Sequence, residues 1–320
     1  MINKKKKIKV IISSALVILL IGILITLYFF AQSIYDRSFN YRCTTSVEKT
    51  FEVSEFETLT RERYTFQSKQ GQQLVGYLYE QNNPDLQEKG VVVFAHGLGG
   101  GGQTGYMDIF QCLTMHGYYV FAYDATANDE SEGDVIGGLP QGFIDLDYAI
   151  DFAYTIEEIS DLPFVLMGYS WGGLSVANVL NYHPEVEAVV SMAGWNKSMN
   201  LIEYRGCEMV GNVAKLLIPF AIVHEYLMYG DYVFSTALKG FENSDCKVMI
   251  VHGVKDDTIP IEYGYETYYE KYGEDERFVF KKYEDRDHHV LNYADGARDF
   301  ELMAEVVEFF DNSLLVQEKP

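Results

Sequence analysis

Phe164-Val165-Leu166-Met167-Gly168-Tyr169-Ser170-Trp171-Gly172-Gly173 is the stretch whose reading decides the fold. Its first four residues are an unbroken apolar run, which reads as a short buried strand. Leu174 to Tyr182 follows and reads as a helix. Between them stands Gly-x-Ser-x-Gly, and strand, turn and helix in that order are the context of a nucleophile elbow. So sharp a turn needs small residues on either side of the serine. Glycine meets the need because it tolerates strained backbone and carries no side chain to clash. The turn pushes the Ser170 hydroxyl out of the sheet. The helix then aims its N-terminal N–H groups and positive dipole end at the place where an oxyanion would form. By itself the pattern is weak, because a small-residue turn between strand and helix looks the same. Its weight comes from what surrounds it.

Further strands and helices alternate on both sides. Arg63 to Gln67 and Leu74 to Glu80 predict a hairpin around the turn Lys69-Gln70-Gly71-Gln72. Val91 to Ala95 predicts a buried strand that ends in the glycine-rich loop His96-Gly97-Leu98-Gly99-Gly100-Gly101-Gly102. No Gly-Lys-Ser/Thr follows, so this loop is not a P-loop. A helix is expected over Tyr106 to His116 and a strand over Tyr118 to Tyr123, ending at Asp124. Leu139, Phe143, Leu146, Ile150 and Ala153 recur at helical spacing. Strands are expected over Val186 to Met192, Lys247 to Val251 and Arg277 to Lys282. Helices are expected over Ile261 to Tyr272 and from Phe300 through Phe310. This alternation implies a mostly parallel sheet with helices on both faces. In such sheets ligands bind at the carboxyl ends of the strands. The elbow, the His96 loop, Asp124, the Asp256 loop and the His288 loop all follow strands, so they should gather at one edge.

At this point the chain resembles the α/β-hydrolase superfamily, over roughly residues 60 to 315. The resemblance rests on His96-Gly97-Leu98-Gly99-Gly100, the elbow, His252-Gly253-x-x-Asp256-x-x-Ile259-Pro260, and a histidine in a short loop after the last strand. Serine, aspartate, histidine is the superfamily's own chain order. Lysophospholipase-like and serine-aminopeptidase-like members are the most similar. The segment Asp124 to Gly133 departs from the pattern, since relatives usually carry more glycines there. The resemblance implies Ser170 as nucleophile, His288 as base and Asp256 as the group that orients the imidazole. The spacing to Ile259-Pro260 selects Asp256 over its neighbour Asp257. The backbone N–H groups of Leu98 and Trp171 are the implied oxyanion hole. His96 and His252 are read as loop-fixing residues, and His116, His183 and His224 as solvated or packed without a nameable partner. No metal site or cofactor is implied, because the histidines are not spaced as ligands. The implied chemistry is hydrolysis of a carboxylic ester with an acyl-lipid-like substrate. A serine peptidase or acyltransferase of the same fold is the alternative within enzymes, and a binding module that kept the fold is the alternative outside them.

The ends and the composition place the chain. Lys4 to Lys7 and Lys9 precede Val10 to Phe30, an apolar run whose polar members are Ser13, Ser14 and Thr26. About 20 apolar residues cross a bilayer as a helix. A cleaved signal peptide would have a shorter apolar core, so an uncleaved signal-anchor is favoured. The organisation expected is a cytoplasmic basic tail at 1–9, a transmembrane segment at 10–31, a stalk at 32–60 and the hydrolase domain at 61–315. The lysines should stay in the cytoplasm, leaving a single-pass protein of the cell membrane with its body outside. The net charge of the 320 residues is −22, and the part beyond the first 30 carries −27. So acidic a body repels nucleic acid. Cys43, Cys112, Cys207 and Cys246 form no C-x-x-C pair, and three disulfide pairings or free thiols are all open. Residues 195–245 are too long for an ordinary connection and contain the apolar run Leu216 to Val223. They are expected to form a helical cap over the site.

Overall fold

The computed structural model describes residues 4–315, so the first three residues of the basic tail lie outside it. Eight strands form one sheet. They are β1 (Leu59–Gln67), β2 (Gln73–Gln81), β3 (Gly90–Ala95), β4 (Tyr118–Asp124), β5 (Phe164–Tyr169), β6 (Ala188–Met192), β7 (Lys247–Gly253) and β8 (Phe278–Tyr283). Their spatial order is β1-β2-β4-β3-β5-β6-β7-β8. β1 and β2 form an antiparallel hairpin, and β2 runs antiparallel to β4. All other neighbours are parallel. β3, β4 and β6 are buried along their whole length, and β5 is buried up to the half-buried Tyr169. This is why they read as continuous apolar runs and not as alternating ones.

Nine α-helices accompany the sheet among the described residues. α1 is Lys4–Phe39, α2 Met107–Met115, α3 Pro140–Ala153, α4 Trp171–Val179 and α5 Ser198–Val210. α6 is Ile218–Tyr229, α7 Ala237–Asn243, α8 Tyr265–Tyr272 and α9 Phe300–Leu315. α2 and α9 supply Phe110, Leu113, Met303, Val306 and Phe310 to the core on one face. α3, α4, α7 and α8 bury Leu146, Ile150, Leu174, Phe241 and Tyr268 on the other. The predicted helix over Ile261 to Tyr272 is split: a 3-10 turn at Ile261–Tyr263 precedes α8, with Gly264 between them.

Two expectations change. The first concerns the stalk at 32–60. The helix expected to serve as the anchor, α1, does not stop at residue 31 but continues to Phe39, and Ala31, Tyr35, Phe39 and Cys43 are buried against the body. Thr45 then donates its backbone N–H and its hydroxyl to the Asp129 carboxylate, at 2.6 and 2.5 Å. Gly102 N–H donates to the same carboxylate at 2.9 Å. Residues 31–45 therefore tie the anchor to the segment that follows β4. That segment does without the expected glycines: Ala127 and Asp129 themselves adopt positive φ, 60° and 34°. The second concerns the cap. α5, a 3-10 turn at Gly211–Leu216 and α6 form it, whereas α7 returns to the core through Ala237 and Phe241. The insertion is thus shorter than 195–245. All four cysteines are free thiols.

One buried carboxyl couples anchor to cap. Tyr35 of α1 donates its hydroxyl to Glu225 of α6 at 2.6 Å, and Glu225 is fully buried. Burial pushes the Glu225 carboxyl up from its ordinary 4.5 to about 8, against the pull of the Tyr35 bond. Between those values the unfolded chain has released the proton while the folded protein still holds it. Stability must therefore fall as pH rises through that window. We expect the melting temperature of the parent to fall between pH 5 and 8 relative to Glu225→Gln, with the gap constant above pH 8. Parallel melting curves for the two proteins would contradict the buried acid.

Candidate active site

Ser170 sits at the end of β5 with φ 56° and ψ −115°, a strained conformation for a residue with a side chain. The fold holds it there from both sides. Ser170 N–H donates to Met192 O of β6 at 2.8 Å, and Leu174 N–H donates to Ser170 O at 2.9 Å in the first turn of α4. A side chain on Gly168 would strike the backbone of Gly172, and one on Gly172 would strike the carbonyl of Ala95. This is the physical reason for the two glycines.

The structure brings the three predicted side chains together. His288 Nε2 lies 2.8 Å from Ser170 Oγ, and His288 Nδ1 lies 2.7 Å from Asp256 Oδ2. Asp257, the neighbouring alternative, instead reaches only the hydroxyl of Thr258 at 3.4 Å. Asp256 also accepts the N–H groups of Thr258 and Ile259, at 2.9 and 2.8 Å. Burial works against its charge. The bonds from His252 and His288, the charge of His288 and the Ile259 N–H outweigh it, and the carboxyl lies well below the usual carboxylate range. The His288 loop is pinned by Tyr169, whose hydroxyl donates to His288 O at 3.1 Å. His289 faces Asp287 in an exposed pair and takes no part in the chain of bonds.

Comparison with known proteins bears on the fold. Residues 90–208 match the family described as alpha/beta hydrolase fold. No curated protein matches the sequence. Among solved structures the chain is similar to an esterase from Pyrococcus furiosus, with TM-score 0.65 and 15% identity over 86% of this chain and 99% of that one. It is also similar to an acylaminoacyl peptidase from Pyrococcus horikoshii, with TM-score 0.63 and 17% identity over 83% of this chain but 44% of that one. The alpha/beta hydrolase GrgF from Penicillium sp. sh18 gives TM-score 0.56 and 15% identity over 80% of this chain and 99% of that one.

The chain has the α/β-hydrolase fold.

In this α/β-hydrolase fold, Leu98 follows β3 and lines the space beside Ser170 and His288, and Trp171 opens α4. Trp171 is fixed by its indole N–H, which donates to Leu139 O at 2.8 Å. His96 has the loop-fixing surroundings expected of it: Ala125 N–H donates to its Nε2 at 3.0 Å, and its Nδ1 is 2.9 Å from Gly97 O. Burial holds its imidazole below the ordinary value. His252 does more than fix a loop. Its Nε2 lies 3.1 Å from Ile259 O and 3.3 Å from the same Asp256 oxygen that faces His288. Its position four residues before Asp256 was a signal that the sequence offered.

The three histidines read as lacking partners all have them. His183 is buried between Asp147 and Glu185 at 2.9 and 2.8 Å. Burial lowers its pKa, but the two carboxylates prevail and hold it at about 9. His224 contacts Asp36 at 3.2 Å, and His116 contacts Cys112 O at 2.7 Å.

Two cavities meet at Ser170. One, of about 480 Å³, is mainly apolar and runs under the cap past Trp195, Leu201, Ile202, Leu217, Ile218 and Ala221. Its other wall is the anchor helix, through Ala31, Ile34, Tyr35, Ser38 and Phe39. The sequence reading missed these five, although their spacing is that of one helical face. The second cavity, of about 430 Å³, lies on the side of the glycine-rich loop and carries Lys49, Tyr106, His289, Asn292 and Arg298. Of the run Leu216 to Val223, Leu217, Ile218 and Ala221 line the cavity. Leu216 and Val223 face outward, and Phe220 is half-buried away from the cavity.

The geometry separates adjacent residues in function. His288→Ala should lower turnover of a p-nitrophenyl ester by several orders of magnitude, and Asp256→Asn by about 10⁴-fold. His289→Ala and Asp257→Asn should stay within about threefold, because neither touches the bonded chain. Steady-state kinetics of the four variants decides it. A dead His289 variant would move the site by one residue.

Proposed function

We propose that the protein is a serine hydrolase that cleaves a carboxylic ester with a long acyl group. The observation that carries this reading is the continuous line of hydrogen bonds from Ser170 through His288 to Asp256, opening directly into an apolar cavity. A serine hydroxyl is a poor nucleophile until a base takes its proton. His288 Nε2 is placed to take that proton as Oγ attacks the ester carbonyl. Asp256 then faces the resulting imidazolium and stabilises its charge. The N–H groups of Leu98 and Trp171 receive the oxyanion, where removal of one such donor typically costs about 3–4 kcal/mol of barrier height. His288 returns the proton to the departing alkoxide, leaving an acyl group on Ser170. Water enters with His288 as base, the acyl bond breaks, and the carboxylic acid leaves.

The two cavities support an assignment of ends. The acyl chain occupies the apolar cavity, and the alcohol part occupies the second, more polar cavity beside Lys49 and Asn292. Each CH₂ buried contributes about 0.8 kcal/mol, so kcat/KM for p-nitrophenyl esters should rise from acetate towards medium chains. Ala221→Trp fills the cavity from the cap side and should move the optimum to shorter chains. A parent enzyme that prefers acetate steeply would contradict the acyl assignment.

The reading places the enzyme in the cell membrane as a single-pass protein with its body outside. Lys6–Phe39 is a single helix of mean hydropathy 3.0 over its most apolar part, preceded by lysines. An epitope fused after Pro320 should be reached by antibody on unpermeabilised cells. Staining that requires permeabilisation would reverse the orientation.

A further inference from the structure

The anchor helix and the cap are joined at the level where the apolar run ends. That run extends through Phe30. Tyr28, two residues earlier, has its hydroxyl 3.4 Å from His224 of α6, and the two rings meet edge-on at 6.2 Å. Asp36 holds the other nitrogen of the same imidazole at 3.2 Å, and Tyr35 donates to Glu225 beside it. A helix rises about 1.5 Å per residue, so the clamp from 28 to 36 spans about 12 Å. A body on a loose stalk could stand off from a bilayer. A body clamped at Tyr28 cannot, because Tyr28 belongs to the bilayer-length run itself. α6 is therefore held at the lipid boundary.

The outer face of this segment is apolar. Among the described residues, six of the eighteen exposed large apolar side chains after residue 40 fall within residues 213–234, and Met209 and Val210 just before them line the cavity. Leu216 is 70% exposed, and Val223 and Leu227, one turn apart on α6, are 49% and 69% exposed. Concentrated exposure of this kind marks a surface that meets protein or membrane, and the clamp to α1 selects the membrane. The inner face of the same segment carries Leu217, Ile218 and Ala221, which form the Ser170 cavity with Ile34 and Tyr35. One side of the cap thus faces lipid and the other faces the nucleophile.

We propose that the outer face of α6 and the turn before it seat in the lipid–water interface, and that the ester is a bilayer-resident acyl lipid whose chain passes along α1 into the Ser170 cavity. This rests on the reading of the chain as a membrane-anchored serine hydrolase. A chain that moves from bilayer to apolar cavity exchanges one apolar environment for another. A route through water would expose every methylene on the way. The body's charge of −27 favours a surface that is zwitterionic or neutral over an anionic one.

The test uses the full-length protein in phosphatidylcholine vesicles that carry a long-chain monoacylglycerol. Val223→Glu/Leu227→Glu should reduce hydrolysis of the monoacylglycerol at least about tenfold and leave p-nitrophenyl acetate turnover within about twofold. Equal loss on both substrates, or loss on neither, would overturn the proposal. A second measurement does not depend on catalysis. The fluorescence of Leu227→Trp should be quenched by phosphatidylcholine brominated near the head group, whereas Met115→Trp, at the opposite end of the sheet, should not respond. Absence of quenching at 227 overturns the docking whether or not the protein is active. Quenching at 227 with neither ester cleaved leaves the docking in place and refutes the hydrolase reading.

Discussion

The backbone of Ser170 is the constraint on which the site depends. A residue with a side chain holds φ at 56° only because β5 ends and α4 begins on either side of it. Gly168 and Gly172 let the two segments approach closely. The bond to Met192 O ties the turn to the neighbouring strand. With the hydroxyl fixed in this way, the loops after β7 and β8 have one place to deliver Asp256 and His288. Parallel strands bring all these loops to the same edge, so residues 118 positions apart in the chain meet at 2.8 Å.

The anchor helix adds a second constraint. Its apolar part has the length of a membrane span, and its last turns pack into the body. Tyr35 and Glu225 bury a polar contact between the anchor and the cap, and Ala31, Ile34 and Phe39 close the cavity. Thr45 and Cys43 extend the attachment to the segment after β4. The helix that carries the long apolar run therefore also shapes the pocket.

Much of this was legible in the sequence, for identifiable reasons. Strands β3 to β6 are buried on both faces, so their apolar runs are long and unambiguous. The elbow carries its own geometry in two glycines. His288 and Asp256 are implied by the resemblance to the α/β-hydrolase superfamily, and the structure brings both to Ser170. The anchor's role in the cavity was missed because the apolar run drowns the periodicity that begins at Ala31. Residues 31, 34, 35, 38 and 39 share a face, but the polar composition after residue 32 masks it. The cap's apolar run is ambiguous for a similar reason: it does not say which face turns inward, and Phe220 turns away from the cavity that Leu217 and Ile218 line. His224 looks solitary in the sequence because Asp36 is 188 positions away, and the buried partner of His183, Asp147, is 36 away, although Glu185 stands two residues on. The loop after β4 holds its shape by Asp129 capturing Gly102 and Thr45, a long-range device that composition does not reveal.

The central claim is that Ser170 is a nucleophile activated by His288. It is tested most directly by treating the full-length protein with a fluorophosphonate and mapping the adduct by mass spectrometry. The account predicts one phosphonyl group, on the peptide containing Ser170, and no adduct when His288 is replaced by alanine. An adduct on another residue, or an unmodified Ser170 in folded parent protein, would contradict it.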